Sequence, residues 1–180
     1  MQTKNIKIMK KSFLLVLTLM VSCLAYSQEE EPSVFVMSIP SDTMSESKTV
    51  NKDKKKEQHS SYIWEENDVV ISVYEIVFMP EYISSLEKDT LDALLEKTKT
   101  EGQKKLIELI GGSFENEKTT KSLFKSKYES IKTESSINGL DVENITIRAQ
   151  NCFLNITLYG SVKSKEARNF IEQIEIIEVE

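Results

Sequence analysis

At 180 residues, 39% hydrophobic and 29% charged, with a formal net charge of −6, the chain is long enough to bury one ordinary core without disulfide staples. The acidic balance argues against nucleic acid or an anionic lipid surface as the main partner, because no excess of Lys or Arg is left to neutralise phosphates. One histidine and two cysteines are too few for the usual His and Cys metal sets.

Residues 1–27 read as a signal peptide. Lys4, Lys7, Lys10 and Lys11 precede an apolar run from Phe13 to Ala25 that is too short for a comfortable membrane span. Small residues at Ala25 and Ser27 predict cleavage before Gln28 and an extracytoplasmic protein, periplasmic or secreted. Met20-Val21-Ser22-Cys23 resembles a lipobox and supplies the alternative, a membrane-anchored lipoprotein acylated at Cys23. Cleavage removes four lysines and no acid, so the mature chain carries 19 basic and 29 acidic residues, a net −10. Residues 28–32 are a short acidic tether, and 33–180 are expected to form a single α+β domain.

Val34 to Ile39 reads as a short strand inside a sheet, stopped by Pro40. From Ser41 to Ser61 the residues are Ser, Asp, Glu and Lys with little that is apolar, which predicts a solvated loop. It includes the cluster Lys52-Asp53-Lys54-Lys55-Lys56; docking of an acidic partner there competes with the flanking acids. Tyr62 to Trp64 and Val69 to Met79 are β-rich runs separated by the turn sequence Glu65-Glu66-Asn67-Asp68 and should pair as a hairpin. The second run is apolar on both faces, as suits a central strand covered on both sides.

From about Thr90 the period changes to that of a helix. Leu91, Leu94, Leu95, Thr98, Gly102, Leu106, Leu109 and Ile110 share one side, and Gly111-Gly112 stops it. Glycine in a helix costs about 1 kcal/mol relative to alanine. Thr98 and Gly102 therefore mark either a close approach to the sheet or a gap that admits a small apolar ligand between helix and sheet. Ser113 to Tyr128 fits neither period and is expected to be a loop with a short helix. Ser130 to Ile137 is a polar strand, turned by Asn138-Gly139 into a strand from Leu140 to Arg148.

Cys152 to Val162 alternates strictly. Cys152, Leu154, Ile156 and Leu158 form an oily face expected to meet a helix layer, with Cys152 a buried, inert thiol. The opposite face, Phe153, Asn155, Thr157 and Tyr159, is amphipathic. It is either partly covered by residues 113–128 or left open as a partner face with Phe153 and Tyr159 as its contacts. Ala167, Phe170, Ile171 and Ile174 then make one helical stripe, with Ser164 placed to cap it. Asn144-Ile145-Thr146 and Asn155-Ile156-Thr157 both match the glycosylation tripeptide, although an asparagine within a strand is a poor acceptor.

No catalytic constellation emerges. His59 sits alone in the serine-rich stretch and is expected to be solvated; serine nucleophiles lack an elbow, and Gly111-Gly112 lacks the spacing and lysine of a phosphate loop. The carboxylates are numerous, but paired acid catalysis needs two environments that push pKa values apart. No cofactor, metal or catalytic residue is expected.

The segments Val36-Met37-Ser38-Ile39-Pro40, Tyr62 with Val73-Tyr74, Asn138-Gly139, and Leu158-Tyr159-Gly160 followed by Phe170 together resemble the PsbP-like superfamily. That resemblance implies an α/β/α sandwich around an antiparallel sheet. It also implies a non-catalytic accessory role, since relatives of this kind look like extrinsic subunits, small-GTPase binders and exported lipoproteins. The expected function is an exported binding domain acting through a protein partner. The alternative is a carrier of a small apolar ligand held beside Thr98 and Gly102.

Overall fold

A computed structural model describes residues 32–52 and 55–178. The leader, Cys23, the predicted cleavage point and nearly all of the tether lie outside these residues. So does the centre of the lysine cluster.

The chain runs β1 (Phe35–Val36), β2 (Met44–Lys52), β3 (Lys55–Glu66), β4 (Val69–Phe78), α1 (Pro80–Ser84), α2 (Lys88–Ile110), β5 (Glu115–Phe124), β6 (Tyr128–Ile137), β7 (Leu140–Ala149), β8 (Cys152–Gly160), α3 (Lys165–Gln173) and β9 (Glu175–Ile176). Strands β2 to β8 form one antiparallel sheet in the order β2-β3-β4-β8-β7-β6-β5, while β1 and β9 pair as a separate two-stranded ribbon. The described residues form one compact unit of α+β class in which the sheet dominates. No helix among the described residues is long and apolar enough to cross a membrane.

The strongest patterns in the sequence produce the central elements. β4 pairs with β3 on one side and β8 on the other, and nine of its ten residues are buried. Asn67 adopts a positive φ in the β3–β4 turn, and Asn138 and Gly139 both do so between β6 and β7, as a tight hairpin requires. Gly111, also at positive φ, ends α2, its N–H donating to the Ile107 carbonyl. Ser164 caps α3 by accepting from the Ala167 N–H.

The oily face of β8 meets α3 and the ribbon. Leu154, Ile156 and Leu158 are fully buried with Ile71, Val73, Ile147, Ala167, Phe170 and Ile174. Cys152 is buried in the same cluster. The Arg168 guanidinium reaches back from α3 to Glu143 of β7 through two bonds of 2.8 Å, and also donates to the Val162 carbonyl at 2.5 Å. Burial pushes the Glu143 carboxyl up, but Arg168 and Lys132 together hold it below the ordinary carboxylate range.

Four expectations are corrected. The 41–61 loop is instead β2 and the first part of β3, and 113–128 is largely the edge strand β5. Both are strands because their backbone groups pair with a neighbour in register, Ser47 opposite Ser60 and Thr119 opposite Thr133, with hydroxyl contacts across each pair. The first strand, expected over Val34 to Ile39, shortens to the two residues Phe35–Val36 in the two-stranded ribbon, where Phe35 pairs with Ile176. The fourth correction concerns the amphipathic face of β8, over which the long helix α2 packs.

Candidate functional site

Phe153 is fully buried between Phe78 and the residues of α2, with an edge-on contact to Phe78 at 5.6 Å, so it belongs to the core and not to a partner face. Next to it the face turns polar without opening to water. Asn144, Thr146, Asn155 and Thr157 are all 0% exposed, so none of these asparagines is available to a glycosylating enzyme. The register sets Asn144 opposite Thr157 and Thr146 opposite Asn155, which brings the two Asn-Ile-Thr tripeptides into a cross-strand pair.

The four side chains close into a ring. The Asn144 amide donates to Asn155 Oδ1 and Thr157 Oγ1, and the Asn155 amide donates to Asn144 Oδ1 and Thr146 Oγ1. Each threonine hydroxyl returns a bond to the asparagine on its own strand. Every amide and hydroxyl hydrogen is used, which is the condition for burying such groups without a large desolvation cost.

The ring also accounts for Thr98 and Gly102. Thr98 is fully buried and its hydroxyl donates to the Leu94 carbonyl at 2.8 Å. A Cβ on Gly102 would lie 2.0 Å from Asn155 Oδ1. The space expected there for a ligand is filled by Asn155, and the close-approach reading holds instead.

Beside this contact, between α2 and strands β2, β3 and β4, lies a cleft of about 320 Å³. His59, expected to be solvated in a loop, lies on β3 at its floor. Its Nδ1 is 2.7 Å from the Tyr74 hydroxyl and its Nε2 is 3.1 Å from Glu57 Oε2. Burial first, then the negative charges of Glu101 and Glu57, push the Tyr74 phenol well up, so it stays protonated beside Nδ1, and the Glu57 carboxylate accepts at Nε2. Above this string the charges are matched. Lys97, Glu101 and Lys105 repeat at four-residue spacing along α2 and face Glu46 and Lys48 of β2, with Lys105 and Glu46 in contact at 2.7 Å. Two contacts cross the cleft or line its base, Lys105 with Glu46 and His59 with Tyr74.

On the opposite face Glu75 points into the apolar core at 5% exposure, and the Ser33 hydroxyl donates to its carboxylate. Burial pushes its pKa up to about 7, against a small lowering by Ser33.

A different arrangement forms at the end of the sheet where two hairpin turns meet the end of β8. The β3–β4 turn, the β6–β7 turn and the end of β8 enclose an open groove of about 510 Å³. Its floor is Val70, Leu140 and Tyr159; its rim carries Glu65, Asp68 and Asp141. Leu140 is 49% exposed and Tyr159 half-buried. None of the three carboxylates is within ion-pair distance of a base among the described residues. Gly160 holds the floor in place: at φ 96° it brings β8 so close to the β3–β4 turn that a Cβ would lie 2.5 Å from the Asp68 carbonyl oxygen.

No family model matches the chain, and no curated protein matches it. Of the residues singled out from sequence, Tyr159 lines an open groove, while Phe153, Thr98 and Gly102 lie in packed contacts. Sequence reasoning missed Leu140, Asp141, Glu65 and Asp68 as one set. The available signal was Asn138-Gly139 followed by an apolar residue, which puts Leu140 just past a tight turn.

Proposed function

We propose that the chain is an exported, non-catalytic accessory domain that acts through a protein partner. The groove over Leu140 and Tyr159 carries this reading, because it offers apolar surface and uncompensated charge in one place on a rigid set of turns. The engaged state of the His59 and Tyr74 pair supports the non-catalytic part, because the imidazole bonds to the phenol on one side and to the Glu57 carboxylate on the other. The resemblance to PsbP-like domains, read as an α/β/α sandwich with α2 and α3 on opposite faces, points the same way. Export rests on the leader, with anchoring by lipidated Cys23 as its variant.

The test is a photo-crosslinking residue placed at Leu140 and, separately, at exposed Lys104 of α2, in the native host. A discrete adduct from position 140, absent from 104 and lost on Tyr159→Ala, is the expected result. Identical adducts from both positions, or none from 140, would overturn the reading.

A further inference from the structure

Resting on that partner reading, we infer that the occupant of the groove is a basic amphipathic segment of the partner protein, an apolar side chain flanked by Lys or Arg. Three observations lead there. The floor of Val70, Leu140 and Tyr159 takes an apolar side chain, and Leu140 presents about half of its surface for it. The rim is of one sign, and no lysine or arginine lines the groove to neutralise Glu65, Asp68 and Asp141. Among the described residues no group of three acidic, His or Cys side chains converges closely enough to hold a metal ion, so these carboxylates suit cations spread along a chain and not one chelated ion.

The surroundings reinforce the choice. The chain as a whole is net negative, so its field draws a cationic segment inward and repels an acidic one. Tyr159 adds a hydroxyl with no hydrogen-bond partner among the described residues, available to a backbone carbonyl or side-chain acceptor of the segment. Gly139 in the β6–β7 turn and Gly160 at the end of β8 are both fixed at positive φ, so the groove is formed before anything enters it.

The experiment is fluorescence anisotropy of the exported protein with a short labelled peptide in which lysines flank a central leucine, and with a control carrying glutamates in place of the lysines. The lysine peptide is expected to bind about tenfold or more tighter than the control and to weaken as salt rises. Asp141→Asn should weaken it several-fold and flatten the salt dependence. Leu140→Ser should weaken it by a similar factor and leave the salt dependence unchanged. Both residues are exposed, and a circular dichroism melt of each variant confirms that the fold is retained. Equal binding of the two peptides, or indifference to both substitutions, would overturn the inference. Self-association of the protein lost in Asp141→Asn would overturn it as well, with a second copy as the occupant. A position-140 crosslink that survives failure of the peptide leaves the partner reading standing; loss of both removes the two together.

Discussion

Gly102 of the long helix lies directly over Asn155 of the central sheet, with no room for a side chain between them. In an isolated helix, Gly102→Ala would gain about 1 kcal/mol. Here the added methyl meets an oxygen held by the buried ring. Overpacking costs about 1–3 kcal/mol and a broken buried hydrogen bond a similar amount, so a net loss of about 2 kcal/mol or more is expected in urea melts. The same substitution in an Asn155→Ala background should cost clearly less, because the two nearest of the three contacting atoms are gone. Additive losses would show that the contact is not the cause.

Both faces of β8 are core, so charge should be rejected on either side. Ile156→Asp and Thr157→Asp, each at a position 0% exposed, are both expected to lose several kcal/mol and to abolish folding in a domain of ordinary marginal stability. A folded Thr157→Asp protein by near-UV circular dichroism would contradict this account of the α2 face.

Glu75 predicts a pH dependence of definite sign. Its folded pKa is about 7, above the ordinary value of 4.5 expected for the unfolded chain. The folded state therefore binds the proton more tightly; the contribution is complete below 4.5 and is lost as pH rises through 7. The loss is on the order of 3 kcal/mol. Glu75→Gln should flatten that part of the profile and be more stable than the parent at alkaline pH. A parent whose stability does not fall across this window would refute it.

The Arg168 contact acts in the opposite direction. Glu143 is held below the ordinary range, so its contribution is present above 4.5 and lost as pH falls. Arg168→Met leaves a carboxylate of 4% exposure with Lys132 at 3.4 Å as its remaining cation, and is expected to cost about 2–3 kcal/mol at neutral pH. Arg168→Lys should recover part of this, since a single ammonium cannot reproduce the paired 2.8 Å bonds. Acid unfolding curves of the three proteins give the order.

What was legible in the chain follows from which patterns burial writes into it. β4, β8, α2 and α3 each carry an apolar period because each presents an oily face to the core. β5 carries none: nine of its ten residues are exposed, and its strand identity lies in backbone pairing with β6 that no side-chain alternation records. Its lysines and the bulge near Asn116 are the marks of a guarded sheet edge, recognisable once the strand is known. Asn155 and Thr157 read as surface residues because their partners, Thr146 and Asn144, are chosen by register. The groove was hidden for a related reason, since Glu65, Asp141 and Tyr159 are distant in sequence and meet only where two hairpin turns adjoin the end of β8.

The Asn-Ile-Thr ring has a consequence for how β7 and β8 find each other. A slip of two residues keeps every apolar side chain on its proper face, so hydrophobic patterning alone cannot distinguish it from the native alignment. The ring can. Displaced one way, Thr146 would stand opposite Phe153; displaced the other, Asn144 would stand opposite Tyr159, and in either case buried amides would lose their partners. The repeated tripeptide thus works as a lock and key between neighbouring strands, proofreading the alignment of the hairpin from which the sheet is continued to either side.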